Sequence, residues 1–95
     1  MNSTATHPIL KEDILNIRVS SHEVLSDRDE ISKRRDNLEK ACALGNSEKG
    51  KVYITFMSES GPVEVHTTVW NVTAEHIGLK SGTLIPVPSI LDIRF

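Results

Sequence analysis

Hydrophobic and polar positions follow two different rhythms along this chain. From Lys51 to Met57, Val52, Ile54 and Phe56 alternate with Tyr53, Thr55 and Met57. That period of two predicts a strand with one buried face. Ser58 to Pro62 carries the Gly and Pro chemistry of a hairpin turn. Beyond it, Val63, Val65, Thr67 and Val69 alternate with Glu64, His66, Thr68 and Trp70 in a second strand. A corner at Asn71–Glu75 leads into a third strand, His76–Lys80, and Ser81-Gly82 turns tightly into Thr83-Leu84-Ile85. Pro86 and Pro88 interrupt backbone hydrogen bonding, which suits a sheet edge or a single 3₁₀ turn, and Ser89–Phe95 reads as the last strand. Five short strands joined by tight turns predict a small barrel closed on itself.

The first half has the helical rhythm. Ser20 with Glu23, and Ser26 with Asp29, have capping-box spacing, and Asp27, Asp29 and Glu30 crowd the turns where a helix dipole favours negative charge. Ile31, Leu38 and Cys42 form an apolar stripe, extended by Val24 and Ala41, and Gly45 stands where a terminating glycine would sit. The stripe is narrow, because Arg34 and Arg35 occupy the intervening turn. Such a helix has to lie on the sheet. Between Asp13 and Ser20 two readings stay open. Leu15, Ile17 and Val19 alternate as in a strand, while Leu10, Ile14 and Ile17 share a helical face. The reading carried forward is a helix turning extended near Asn16.

Charge divides the chain at the same place. Seventeen charged side chains fall in residues 1–50 and seven in residues 51–95. The expected organisation is a disordered tail over 1–8 and one domain over 9–95, helical over about 9–45 and β over about 50–95. The fold class is therefore α+β, mainly β, with an N-terminal helix packed on a five-stranded, strongly bent antiparallel barrel. A net charge of −2 argues against a protein that coats nucleic acid. The lone Cys42 excludes an internal disulfide framework. Met1 to Pro8 has neither a basic start nor an apolar stretch, and the longest apolar run is Ala41–Leu44. These features predict no signal peptide, no membrane span and a cytoplasmic address.

Candidate chemistry is sparse. His7, His22, His66 and His76 lack metal-site spacing, so neither a metal nor a cofactor is expected. Cys42 lies on the apolar stripe and reads as a small core residue, not a nucleophile. The carboxylates of the helix are interleaved with cations, and Glu30 with Arg34, and Asp36 with Lys40, have the i, i+4 order of solvated ion pairs. No glycine pattern forms a nucleotide loop. Asn71-Val72-Thr73 matches a glycosylation sequon, which is idle without secretion. Lys33-Arg34-Arg35 is the one basic cluster and the candidate for weak phosphate contact, against a plainer reading as a solvent-facing turn neutralised by its acidic neighbours. Trp70, the only tryptophan, has two readings. Strand alternation turns it outward with Glu64 and His66, making the three a candidate partner or subunit contact. A bulge near Thr67-Thr68 would instead return it to the core. The outward reading is carried forward.

The element order also resembles the Sm-like and SH3-like small barrels. The segments that carry the likeness are Lys51–Met57, Val63–Val72, His76–Lys80, Leu84-Ile85-Pro86 and Ile90-Leu91-Asp92-Ile93. Within that class, Asp36-Asn37-Leu38-Glu39 and Ala41-Cys42 are similar to the bacterial Rho-inhibitor family. The resemblance implies a bent meander that closes on its last strand under an N-terminal helix. It does not carry over RNA-binding residues: the acidic-to-asparagine loop and late Arg-Gly pair of RNA-binding Sm proteins are replaced here by Asn71–Glu75 and Leu84–Pro88. The expected function is a non-enzymatic binding or regulatory module acting through an unknown protein partner. A nucleic-acid-binding or transcription-termination-related regulator is the alternative the resemblance implies. Self-association as a dimer or small ring is expected from the edge strands such barrels leave.

Overall fold

The computed structural model describes residues 7–9, 19–20 and 22–95. A strand β1 (His7–Ile9) precedes one helix, α1 (Arg28–Glu48). Strands β2 (Val52–Ser58), β3 (Gly61–Thr67), β4 (Val69–Val72), β5 (His76–Leu79) and β6 (Leu84–Pro86) follow. A 3₁₀ turn at Val87–Ser89 leads into β7 (Ile90–Arg94). Residues 7 and 8 of the expected tail thus belong to β1, and the choice between strand and helix over residues 10–18 lies outside the described residues.

Two sheets share the core. One has the order β1-β3-β2-β7, the other β4-β5-β6. The pairs are antiparallel except β1 with β3, which is parallel. Alternation explains β2: Val52, Ile54 and Phe56 are fully buried, while Tyr53, Thr55 and Met57 are half-exposed. The hairpin is tighter than its turn chemistry suggested, because Ser58 pairs directly with Gly61, whose φ of 119° is open to glycine alone. At Thr68 the long predicted second strand breaks into β3 and β4 and passes from one sheet to the other. No strand pair closes the two sheets into a barrel among the described residues. The architecture is α+β, with Leu38 and Ala41 of α1 joining Ile54, Phe56, Ile77 and Ile90 in one apolar cluster. Burying Leu38 completely stabilises the docked helix by about 1.5–3 kcal/mol.

The helix departs from its sequence reading at both ends. Asp27, not Ser26, is the N-cap, its carboxylate accepting from the Asp29 amide at 2.9 Å. Gly45 does not stop the helix, which runs on to a left-handed cap at Lys49, φ 54°. Gly45 is a contact glycine. A Cβ there would collide with the Val69 carbonyl oxygen and lie 2.9 Å from Thr68 Cγ2, so its hydrogen lets α1 lie against the start of β4. The buried stripe is consequently Arg34, Leu38, Ala41 and Gly45, while Ile31 and Cys42 are only half-buried at its margins.

Arg34 is the larger correction. Expected on the solvated face, it is 5% exposed. Its guanidinium grips the Glu23 carboxylate through Nη1 at 2.8 Å and Nη2 at 2.7 Å, and Nη1 also donates to the Ile90 carbonyl at 3.0 Å. The predicted Glu30–Arg34 and Asp36–Lys40 helix pairs do not form; among the described residues the ion pairs are Arg34–Glu23 and Arg94–Glu64. The contact from Glu23 lies in an irregular segment, His22–Asp27, that also donates the Val24 amide to the Pro88 carbonyl at 2.9 Å. Ahead of it, Val19 bridges Ser58 and the Ser20 amide donates to the Met57 carbonyl. Residues 19–20 and 22–27 are therefore strapped to the end of β2 and to the 3₁₀ turn before β7.

Two outcomes follow. Gly45→Ala should lose about 1–3 kcal/mol in urea unfolding through overpacking, although alanine adds about 1 kcal/mol of helix propensity. The second concerns pH. Hydrogen bonds from Arg34 hold the Glu23 carboxyl below its ordinary value of 4.5, against the opposing pull of partial burial. A lowered native value means the stabilisation is complete above the unfolded-state value and is lost as pH falls through the native one. Glu23→Gln should therefore be less stable than the parent at neutral pH, with the gap narrowing in acid melts below pH 4.5.

Candidate interaction surface

The β4 strand is an end strand whose backbone is covered by the helix. Asn46 Nδ2 and Cys42 Sγ donate to the Trp70 carbonyl at 3.3 and 3.4 Å, and Asn46 Nδ2 also reaches Cys42 Sγ at 3.4 Å. Two helical turns before Cys42, Arg35 Nη2 reaches the Thr73 carbonyl at 3.4 Å. Arg35, Cys42 and Asn46 thus line the helix flank that faces the β4 edge, beside the Gly45 contact. This covering satisfies groups that an open edge would leave for another chain. Cys42 acts here as a weak donor in a structural contact.

Against that fixed backbone, β4 bulges. Val69 pairs with Leu79 and Asn71 with Gly78, so Trp70 is the extra residue. The bulge lies beyond the position at which it would have turned Trp70 inward. Val69 stays fully buried, and Trp70 and Asn71 both point out. From Asn71 a row runs across the outer face of the smaller sheet through Gly78 to Leu84. A Cβ on Gly78 would meet Asn71 Oδ1 and lie 3.6 Å from Leu84 Cδ2, so both side chains lean over the bare glycine. The result is a saddle, Asn71 over Gly78, flanked by Trp70 at 49% and Leu84 at 59% exposure. These are two of the three exposed large apolar side chains among the described residues, Phe95 being the third. Sequence reasoning found Trp70 and missed Leu84 and Asn71. The available signal was Gly78, since a glycine inside a short strand marks a bulge or a close approach.

Glu64 and His66 sit elsewhere. They lie on β3 in the larger sheet, across the Thr68 break from Trp70. The His66 ring stacks on Tyr53 at 4.1 Å with the planes 5° apart, and the Arg94 guanidinium lies 4.5 Å from the centre of the Tyr53 ring. Arg94 Nη2 also bonds Glu64 Oε2 at 2.9 Å, and that hydrogen bond, with the charge behind it, raises the arginine's pKa still further. Both residues are engaged with their own neighbours in a polar row across β3, β2 and β7.

The basic cluster disperses in the same way. Arg34 is buried against Glu23, Arg35 is half-buried on the end of β4, and Lys33 alone projects from an exposed position. Their charges do not converge on one phosphate-sized site. Among the described residues no group of three or more His, Cys, Asp or Glu side chains could hold a metal ion, and no helix is long and apolar enough to cross a membrane.

Comparison with known proteins adds no relative from which a role could be read: no protein-family model matches this chain, and neither does any curated protein or solved structure.

Proposed function

We propose that this chain is a non-enzymatic binding module that engages a protein partner through the Trp70–Leu84 face. The observation that carries the reading is the half-exposed Trp70 on a bulge whose carbonyl is tied to Cys42 and Asn46. A large ring presented on restrained backbone loses little conformational freedom on binding, and tryptophan dominates the energetics of many interfaces. Leu84, across the saddle, supplies a second apolar contact, and the Asn71 carboxamide between them supplies donors and an acceptor. Self-association as a dimer or small ring is one form such binding takes.

What supports the small-barrel likeness of the module is its pairing order. One bent strand, broken at Thr68, feeds both sheets; a 3₁₀ turn precedes the last strand; and β7 returns to β2. The residues that resemble the Rho-inhibitor family are partly docking residues, because Leu38 and Ala41 enter the core and Cys42 holds the bulge. The nucleic-acid reading is the weaker one: Arg34 and Arg35 are already engaged within the chain, and the net charge is −2.

Affinity capture from the native host tests this, with three forms of the protein side by side. Trp70→Ala with Leu84→Ser should lose a protein partner that the parent and Glu64→Gln with His66→Ala retain, by about tenfold or more in affinity. Its melting temperature should stay within a few degrees of the parent. Equal capture by all three forms would contradict the proposal. So would recovery of nucleic acid whose binding falls steeply with salt.

A further inference from the structure

A second surface lies on the other side of the helix, at the outer edge of β7. Of the four end strands, β4 is capped by side chains of α1, and β1, β6 and β7 are not paired with a further strand among the described residues. β1 and β6 are three residues long and each contains a proline, Pro8 or Pro86, which lacks an amide donor. β7 has five residues, no proline and a β-bulge opposite Thr55 and Phe56. Its first carbonyl, Ile90, is taken by Arg34. Beyond that point α1 stands off from β7 and leaves a groove of about 210 Å³.

The groove has a chemical character of its own. Leu25, Leu91 and Ile93 give it an aliphatic lining. Glu30 comes from α1 and Asp92 from β7, and neither has an ion-pair partner among the described residues. Arg34 also lines the groove, but Glu23 already neutralises its charge. Lys33 is the one remaining cation there, on an exposed position of α1. Two carboxylates and one ammonium line the groove, and Arg94, the neighbouring cation on β7, is already bonded to Glu64.

We propose that this groove receives an extended, basic segment of a partner protein, which adds to the β7 edge as a strand. The open edge recognises main chain, the half-buried Leu25 and Leu91 take an aliphatic side chain, and a Lys or Arg two positions away sits between Glu30 and Asp92. Alternation along the added strand places these side chains on one face. The site is distinct from the Trp70–Leu84 face and does not depend on it.

The test uses the full chain labelled with ¹⁵N and titrated with the acetylated, amidated peptide Val-Thr-Lys-Thr-Val, whose Val and Lys side chains share one face. Saturable shifts are expected at the amides of residues 30–37 and 91–93, with slowed hydrogen exchange along β7. Glu30→Gln with Asp92→Asn, both at exposed positions, should weaken binding about tenfold while moving the melting temperature by no more than a few degrees. The acidic peptide Val-Thr-Glu-Thr-Val should not bind, and N-methylation of the basic peptide along the edge that pairs should abolish binding. Trp70→Ala with Leu84→Ser should bind the peptide as the parent does, which separates this site from the other face. Four results would overturn the proposal: shifts that never saturate, equal binding of the acidic peptide, unchanged affinity in the Glu30/Asp92 variant, or a dimer whose β7 amides are already protected. The last would assign the groove to a second copy of the chain.

Discussion

A single buried guanidinium ties the two halves of this protein together. Arg34 lies on the inner face of α1, where apolar periodicity would place a leucine, and it reaches both the chain before the helix and the first residue of the last strand. Burying a cation is costly unless its hydrogen bonds are matched, and here a bidentate carboxylate and a carbonyl provide most of the match. Glu23 remains partly in water, with a side chain 39% exposed, so its desolvation is modest while that of Arg34 is nearly complete. Removing the arginine would leave Glu23 without its partner and the Ile90 carbonyl without a donor. The arrangement is strong because it joins three segments remote in sequence, not because the pair is an isolated source of energy.

From that anchor the helix position follows, and from the helix the outer surface. With Arg34 held at β7, the same face carries Leu38, Ala41 and Gly45 onto the core, and the missing side chain at Gly45 sets how close α1 comes to β4. The flank of the helix then meets the Trp70 carbonyl, and the bulge it steadies turns Trp70 and Asn71 outward. Helix docking thus fixes the backbone from which the tryptophan projects. On the other flank the helix stands away from β7, where Glu30 and Asp92 line the groove. One helix protects one sheet edge and leaves another open.

Much of the β half was legible because its burial pattern is strictly alternate. Val52, Ile54 and Phe56 in β2, and Val63 and Val65 in β3, need no tertiary knowledge to be placed inward. The prolines likewise marked the 3₁₀ turn at Val87–Ser89. The helix was harder, because its two informative residues contradict the usual meaning of their types. Arginine in a charged run normally faces water, and only the distant Glu23 and Ile90 make Arg34 an inward residue. Glycine near a helix end normally terminates it, and only the passing Val69 carbonyl makes Gly45 a packing residue. Trp70 was readable as outward, whereas its separation from Glu64 and His66 depended on the break at Thr68, which two consecutive threonines do not announce. The Asn71–Gly78–Leu84 row is a product of register between three strands, information that no local pattern contains.

The most direct measurement is urea unfolding of Arg34→Ala, followed by hydrogen exchange at the Val24 amide. If Arg34 joins the strap, the helix and β7, the variant loses about 3 kcal/mol and the Val24 amide, bonded to Pro88, exchanges far faster than in the parent. A variant within about 0.5 kcal/mol of the parent, with Val24 still protected, would contradict the account.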